Sequence, residues 1–365
     1  MGFSCGIVGL PNVGKSTLFN ALTRANVASS NYPFCTIDPN VGIVNVPDTR
    51  LDKLTELSKS RSVVPTTVQF VDIAGLVSGA SKGEGLGNQF LSHIRDTDAI
   101  VQVVRMFEEQ DVTHIGKVDP VRDLEIINTE LILKDMDTIQ NTLDKRAKLA
   151  KSGNKDAQVE VAILEKVMDA LNNETLARNI ALDEKERAFI RQFNLLTDKA
   201  LLICANVSET EITTYVKNPL YTQLAAKAKE LNADILALSA KIEQEITELD
   251  PPEAAEYLKD LGLTQSGLQR LIMEGYKLLG LITYFTTGEK ESRAWTVTTG
   301  TKAPAAAGKI HSDMERGFIR ADTVGYDEFV ANGGWTGVKD KGLLRKEGKE
   351  YIVKDGDIML FFFNV

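Results

Sequence analysis

The chain has 365 residues, 43% hydrophobic and 25% charged, and 51 acidic against 42 basic side chains leave a net charge of −9. That length predicts two or three domains, and the balance is that of an ordinary soluble protein. The acidic excess excludes a protein that coats nucleic acid by bulk charge, although it leaves room for a local basic surface.

No apolar run approaches the roughly 18 residues that a membrane helix needs, so no membrane association is expected. The opening "MGFSCGIVGL" has no basic region before its apolar run and reads as a core strand, not a signal peptide. Cys5, Cys35 and Cys204 are odd in number and form no C-x-x-C. They argue against disulfides and zinc and for a reducing, cytoplasmic location.

The first apolar run, 3–10, leads into "GLPNVGKS", Gly9 to Ser16, which fits G-x-x-x-x-G-K-[ST] at every fixed position. Between a strand and a helix this is a phosphate-binding loop. The amides of Asn12, Val13, Gly14, Lys15, Ser16 and Thr17 are expected to face a triphosphate at a helix N-terminus. Lys15 neutralises charge on the β- and γ-phosphates, and the Ser16 hydroxyl is a ligand for Mg²⁺.

"NYPFCTIDPN", 31–40, follows without a strand signal. Its Thr36 is read as the loop residue that reaches metal and γ-phosphate in the triphosphate state. Apolar runs 41–46 and 66–73 read as strands, the second ending in "DIAGL". Asp72 holds the metal through its water shell, and the Gly75 amide binds the γ-phosphate. The next residue, where related switches place a water-orienting Gln, is Leu76, which forms no hydrogen bond. The water needs another partner. Of His93, His114 and His311, His114 follows the strand 99–107 at the edge where a nucleotide sits, and is assigned that role.

From 119 to 195 the strand signal vanishes. Leu124, Ile127 and Leu131, then Ile132, Met136, Ile139 and Leu143, and after "KSGNK" (151–155) Val161, Leu164, Met168 and Leu171 recur at three and four. Two long helices joined by a polar turn make an antiparallel, coiled-coil-like hairpin. Its tip carries Lys145, Arg146, Lys148, Lys151 and Lys155.

Strand runs return at 199–207 and 233–240. The first ends in "ANVSE", 205–209, where a guanine reader carries Asn-Lys-x-Asp. Asn206 stands in place, Val207 replaces the Lys, and Glu209 replaces the Asp with one more methylene. "LSAK", 238–241, supplies Ser239 and Ala240 to the base pocket. Without the short carboxylate, guanine selectivity is lost and adenine is preferred. The last 85 or so residues read as a sheet-rich domain with one helix within "ADTVGYDEFVANGG".

"GLPNVGKST", "NYPFCTIDPN", "DIAGLVSGASKGEGLGNQFL", "NVSE" and "GKIHSDMERGFIRADTV" together resemble the YchF / Obg-like ATPase family, in motif order along essentially the whole chain. The resemblance implies an α/β P-loop domain with a mostly parallel sheet (1–118 and 196–280), an inserted helical coiled-coil hairpin (119–195) and a C-terminal TGS domain of β-grasp fold (281–365). It implies ATP hydrolysis with Mg²⁺ in preference to GTP, with a hydrophobic residue at the position of Leu76. It also implies association with the ribosome or a ribosomal subunit and a part in translation and stress responses. RNA is expected to contact the cleft between hairpin and TGS domain, and the chain to act as a monomer. The alternatives are a GTPase of the same fold, and a ribosome- or RNA-binding module in which nucleotide only sets conformation.

Overall fold

The computed structural model describes residues 3–24, 40–73, 91–108 and 117–364. The chain divides into two compact units, 1–44 with 69–271, and 45–68 with 272–365.

The first unit is built on a six-stranded sheet with order β2-β4-β1-β5-β6-β7. Its strands are β1 (Ser4–Val8), β2 (Val41–Asn45), β4 (Thr67–Asp72), β5 (Ala99–Arg105), β6 (Ala200–Asn206) and β7 (Asp234–Leu238). All six apolar runs of the sequence are in it. β1 pairs parallel with β4 and β5, and β6 parallel with β5 and β7. β1 and β5 are buried along their whole length, as expected for strands covered on both faces. Parallel pairing brings the C-terminal ends of β1, β4, β5, β6 and β7 to one edge. The chain leaves β1 for β4 on one side and β5 on the other, so this edge is a topological switch point.

Helix α1 (Lys15–Arg24) follows β1 directly. Residues 45–68 carry α2 (Thr49–Ser58) and the short β3 (Val63–Val64) and belong to the second unit, whereas the sequence reading kept them with the nucleotide domain. The cause is local. Arg50 donates to Asp48 and, at 2.6 Å, to Asp355, while Leu51 and Leu54 pack with Phe285 and Ile358.

The helical insertion forms as its periodicity predicts. α3 (Pro120–Lys151) starts on an Asp119 cap, α4 (Lys155–Asn172) on an Asn154 cap, and the turn between them uses Gly153 at φ 90°. Ile132 and Ile139 pack against Leu164, Val167 and Leu171, joined by Ile190 of α5 (Glu184–Arg191). Val167 takes the core position between Leu164 and Leu171 that the sequence pattern gave to its neighbour Met168, which is half-buried. Halfway along α3, the fully buried Asp135 accepts from the Leu196 and Thr197 amides at 2.8 Å and from Thr197 Oγ1 at 2.7 Å.

α6 (Pro219–Glu230) lies on the sheet through Leu224 and Ala228, and α7 (Ala240–Ile246) follows β7. Then come α8 (Pro251–Asp260) and α9 (Gly267–Leu278). Glu243 of α7 accepts from the Gly267 and Leu268 amides and so caps α9. Cys5 and Cys204 are buried, and burial pushes both thiols up to about 12; neither is a nucleophile.

The second unit is a β-grasp. Its sheet has order β11-β10-β12-β8-β9-β3, with β8 (Leu281–Thr287), β9 (Ser292–Thr298), β10 (Phe318–Gly325), β11 (Arg345–Glu347) and β12 (Asp357–Phe363). β8 and β9 form an antiparallel hairpin, and β12 runs parallel to β8. The Ala-rich α10 (Ala303–Ile310) packs on one face beneath Tyr284, Val297 and Phe361. That helix escaped the sequence reading, whereas the helix expected after Val324 is present as Tyr326–Ala331. No helix among the described residues is long and apolar enough to cross a membrane.

Candidate functional site

The edge formed by the strand C-termini opens into a cleft of 850 Å³. Its floor is the loop from Leu10 to Thr17. Its far wall is Phe107, Glu108, Asn206 to Glu209 and Ser239 to Lys241, with Gln244, Glu245 and Glu248 at the rim.

The loop backbone is bent twice into the left-handed region, at Asn12 (φ 62°) and Gly14 (φ 90°). Such alternation turns successive amides toward one point and makes an anion-binding concavity. Gly14 is required on two counts. Its φ suits only glycine, and a Cβ there would run into the Asn206 side chain. The first helical bond, Leu18 N to Gly14 O at 3.0 Å, starts α1 at the end of the loop.

Lys15 is buried and its ammonium donates to Asp72 Oδ1. The β1–β4 register explains the meeting, because Ile7 lies opposite Asp72 and the loop after β1 returns over the end of β4. Ser16 is exposed beside them, and Thr17 is half-buried. The Ser16 hydroxyl and Asp72 carboxylate are hard oxygen donors on one mouth of the loop, the type Mg²⁺ takes in company with phosphate oxygens. The residues present therefore fit that ion. Among the described residues no cluster of three or more His, Cys, Asp or Glu could hold a metal.

Asn206 is 3% exposed. Its Nδ2 donates to Val13 O at 2.9 Å, and its Oδ1 accepts from Ala240 N at 2.9 Å. The side chain therefore clamps the phosphate loop to the Ser239–Ala240 turn, and a second Nδ2 proton remains for a ligand. Val207 is buried, and its amide donates to Leu238 O at 2.9 Å. Glu209, at the position of the guanine-reading Asp, accepts from Lys241 Nζ at 2.8 Å. Its charge is thus partly answered from within the protein.

Of the residues singled out from sequence, the structure brings together Asn12 to Thr17, Asp72, Asn206, Val207, Ser239 and Ala240. Thr36, Gly75, Leu76 and His114 lie outside the described residues. His93 is exposed, and His311 accepts from the Asp313 amide at 3.1 Å in the second unit. Among the cleft residues that sequence reasoning missed are Phe107 and Lys241. In the sequence Phe107 reads only as the end of an apolar strand, and Lys241 only as part of a backbone segment. A large aromatic two residues past a parallel strand's C-terminus was the available signal for the first.

Two family models match: "YchF-GTPase_C", described as a protein of unknown function, over residues 281–364, and "50S ribosome-binding GTPase" over residues 4–141. The chain is 54% identical to the Bacillus subtilis (strain 168) protein "Ribosome-binding ATPase YchF" and 52% identical to its Escherichia coli O157:H7 namesake, with all of each chain covered. A solved structure titled "Structure of the Schizosaccharomyces pombe YchF GTPase" superposes with a TM-score of 0.90 at 38% identity, covering 99% of this chain and 98% of that one. The phosphate loop, the altered base-reading segment, the inserted hairpin and these full-length likenesses agree: the chain belongs to the YchF family.

Proposed function

We propose that the cleft binds a purine nucleoside triphosphate, ATP in preference to GTP, and that the protein hydrolyses it with Mg²⁺ as a ribosome-associated regulator in translation. The observation that carries the nucleotide reading is the continuity of the cleft from the Gly14–Lys15 loop to the Asn206-clamped wall. One end meets a triphosphate and the other a base. The bacterial relatives carry the name of a ribosome-binding ATPase, while the fission-yeast structure is titled a GTPase, so the base preference rests on residues.

Guanine presents two donors to a short carboxylate, and adenine presents a bare acceptor at N1. The Glu209 carboxylate is held by Lys241, so it is not free to serve as that acceptor pair. Val207 offers an apolar contact where a guanine reader has a Lys stem.

On binding, Lys15 exchanges Asp72 for the β- and γ-phosphate oxygens, and Asp72 is released toward the metal side with Ser16. Mg²⁺, when bound, neutralises charge on those oxygens. The loop amides and Lys15 supply fixed positive ends where charge develops. Thr36 and the Gly75 amide are assigned to the γ-phosphate and His114 to the attacking water, on the sequence pattern. The hairpin tip, with Lys145, Lys148, Lys151 and Lys155 exposed, is the proposed ribosomal contact. Direct RNA contact and a monomeric, cytoplasmic state belong to the same reading.

Lys15→Ala should abolish Mg²⁺-dependent phosphate release from ATP. Release at the wild-type rate would reject the catalytic reading. Co-sedimentation with ribosomal subunits should persist at about 200 mM salt, where binding by phosphate attraction alone falls away.

A further inference from the structure

We infer that Arg105 is a positioning residue for the base wall, holding Phe107 in place to receive a purine. This rests on the reading of the cleft as a nucleotide site and deepens it.

Arg105 is the last residue of β5 and lies opposite Asn206 in the parallel register. It is 2% exposed. Both contacts that the structure gives its guanidinium fall on one residue. Nε donates to the Phe107 carbonyl at 2.7 Å, and Cζ sits 4.9 Å from the centroid of the Phe107 ring. Nη1 is buried and has no hydrogen-bond partner among the described residues.

A buried guanidinium with an unsatisfied nitrogen is a costly way to fill space, and an apolar side chain of similar length would fill it at lower cost. Arg105 therefore contributes little as packing. It fixes Phe107 twice, through the backbone and through the ring, just past the point where β5 ends and the chain would otherwise be free to turn. Phe107 lines the cleft beside Asn206 and Val207. A cation against one face of an aromatic ring draws on its π cloud. The ring then presents a less electron-rich opposite face, better suited to stack on an electron-rich purine.

The test compares two ligands in the presence of Mg²⁺ by titration calorimetry: ATP, which has a base, and inorganic tripolyphosphate, which has none. Arg105→Met should weaken ATP by about five-fold, the lower end of the range for a cation–ring contact, and leave tripolyphosphate within about two-fold. Arg105→Lys keeps the charge but loses the flat face and the Nε bond, and should show the same ligand-selective loss. It also serves as the second variant if the Met form does not fold. Phe107→Ala should weaken ATP further, and Arg105→Met added to it should cost nothing more. The inference is overturned if Arg105 variants weaken both ligands alike, or if the double variant loses the sum of the two single effects. If Phe107→Ala itself leaves ATP unchanged, the reading of the cleft's far wall as a base site fails, and this inference falls with it.

Discussion

Replacing Asn206 with Ala removes a side chain that joins the phosphate loop to the wall of the base pocket. Two hydrogen bonds are lost, to Val13 O and from Ala240 N, each 2.9 Å. The site is 3% exposed, so water does not readily replace them. Each bond contributes about 1 kcal/mol net, and each buried group left unpaired costs about 1–3 kcal/mol. With two groups left unpaired, a total loss of about 2–6 kcal/mol follows, shared between stability and binding. Because the clamp holds Val13, one residue before Gly14, the loop itself should loosen. Asn206→Ala should therefore lower the urea midpoint and weaken Mg²⁺-tripolyphosphate as well as ATP, each by ten-fold or more. Asn206→Asp should do at least as badly, because it sets a carboxylate oxygen against the Val13 carbonyl with no proton between them. A residue that only reads the base would instead weaken ATP alone and leave the midpoint untouched. Wild-type stability with unchanged tripolyphosphate affinity in Asn206→Ala would refute the clamp.

Lys241→Ala should free the Glu209 carboxylate and raise GTP affinity relative to ATP by up to about five-fold, the range of an exposed ion pair; an unchanged ratio in paired titrations would mean that Glu209 does not face the base. His114→Ala should slow phosphate release by about 10²-fold at unchanged ATP affinity, and wild-type turnover would remove His114 from the mechanism. Burial pushes the Asp135 carboxyl from 3.8 up to about 6, against the pull of its Thr197 and Leu196 donors. The folded state thus binds the proton more tightly, and this contribution to stability is full below the usual carboxylate range and is lost as pH rises through 6. The span amounts to about 3 kcal/mol, and urea midpoints between pH 4 and pH 7 should show a falling slope that Asp135→Asn abolishes.

Much of the first unit was legible because its central parallel strands β1, β5 and β6 are buried and read as unbroken apolar runs, and the six apolar runs all fall in the sheet. The hairpin was legible for the opposite reason: Ile132, Ile139, Leu164 and Leu171 repeat at helical spacing between polar residues. Its core position at Val167 was missed because Val167 and Met168 both fit a stripe with Leu164 and Leu171, and only the partner helix decides which faces inward. α10 was missed because "APAAAGKI" shows no amphipathic contrast, and its Pro and Gly look like loop signals although Pro stands in the first turn, where it is tolerated. The membership of 45–68 in the second unit was out of reach, since it depends on Arg50 meeting Asp355 across 305 positions. In the candidate site, the loop motif named its own residues from Asn12 to Thr17, but the double role of Asn206 and the Glu209–Lys241 pair depend on what the fold places opposite them.

The base preference is tested most directly by competing ATP against GTP for the wild-type protein at equilibrium with Mg²⁺. ATP should bind at least ten-fold more tightly, since the segment from Asn206 to Glu209 offers guanine no free carboxylate. Tighter GTP binding would contradict the assignment and make the protein a guanine-nucleotide hydrolase on the same fold.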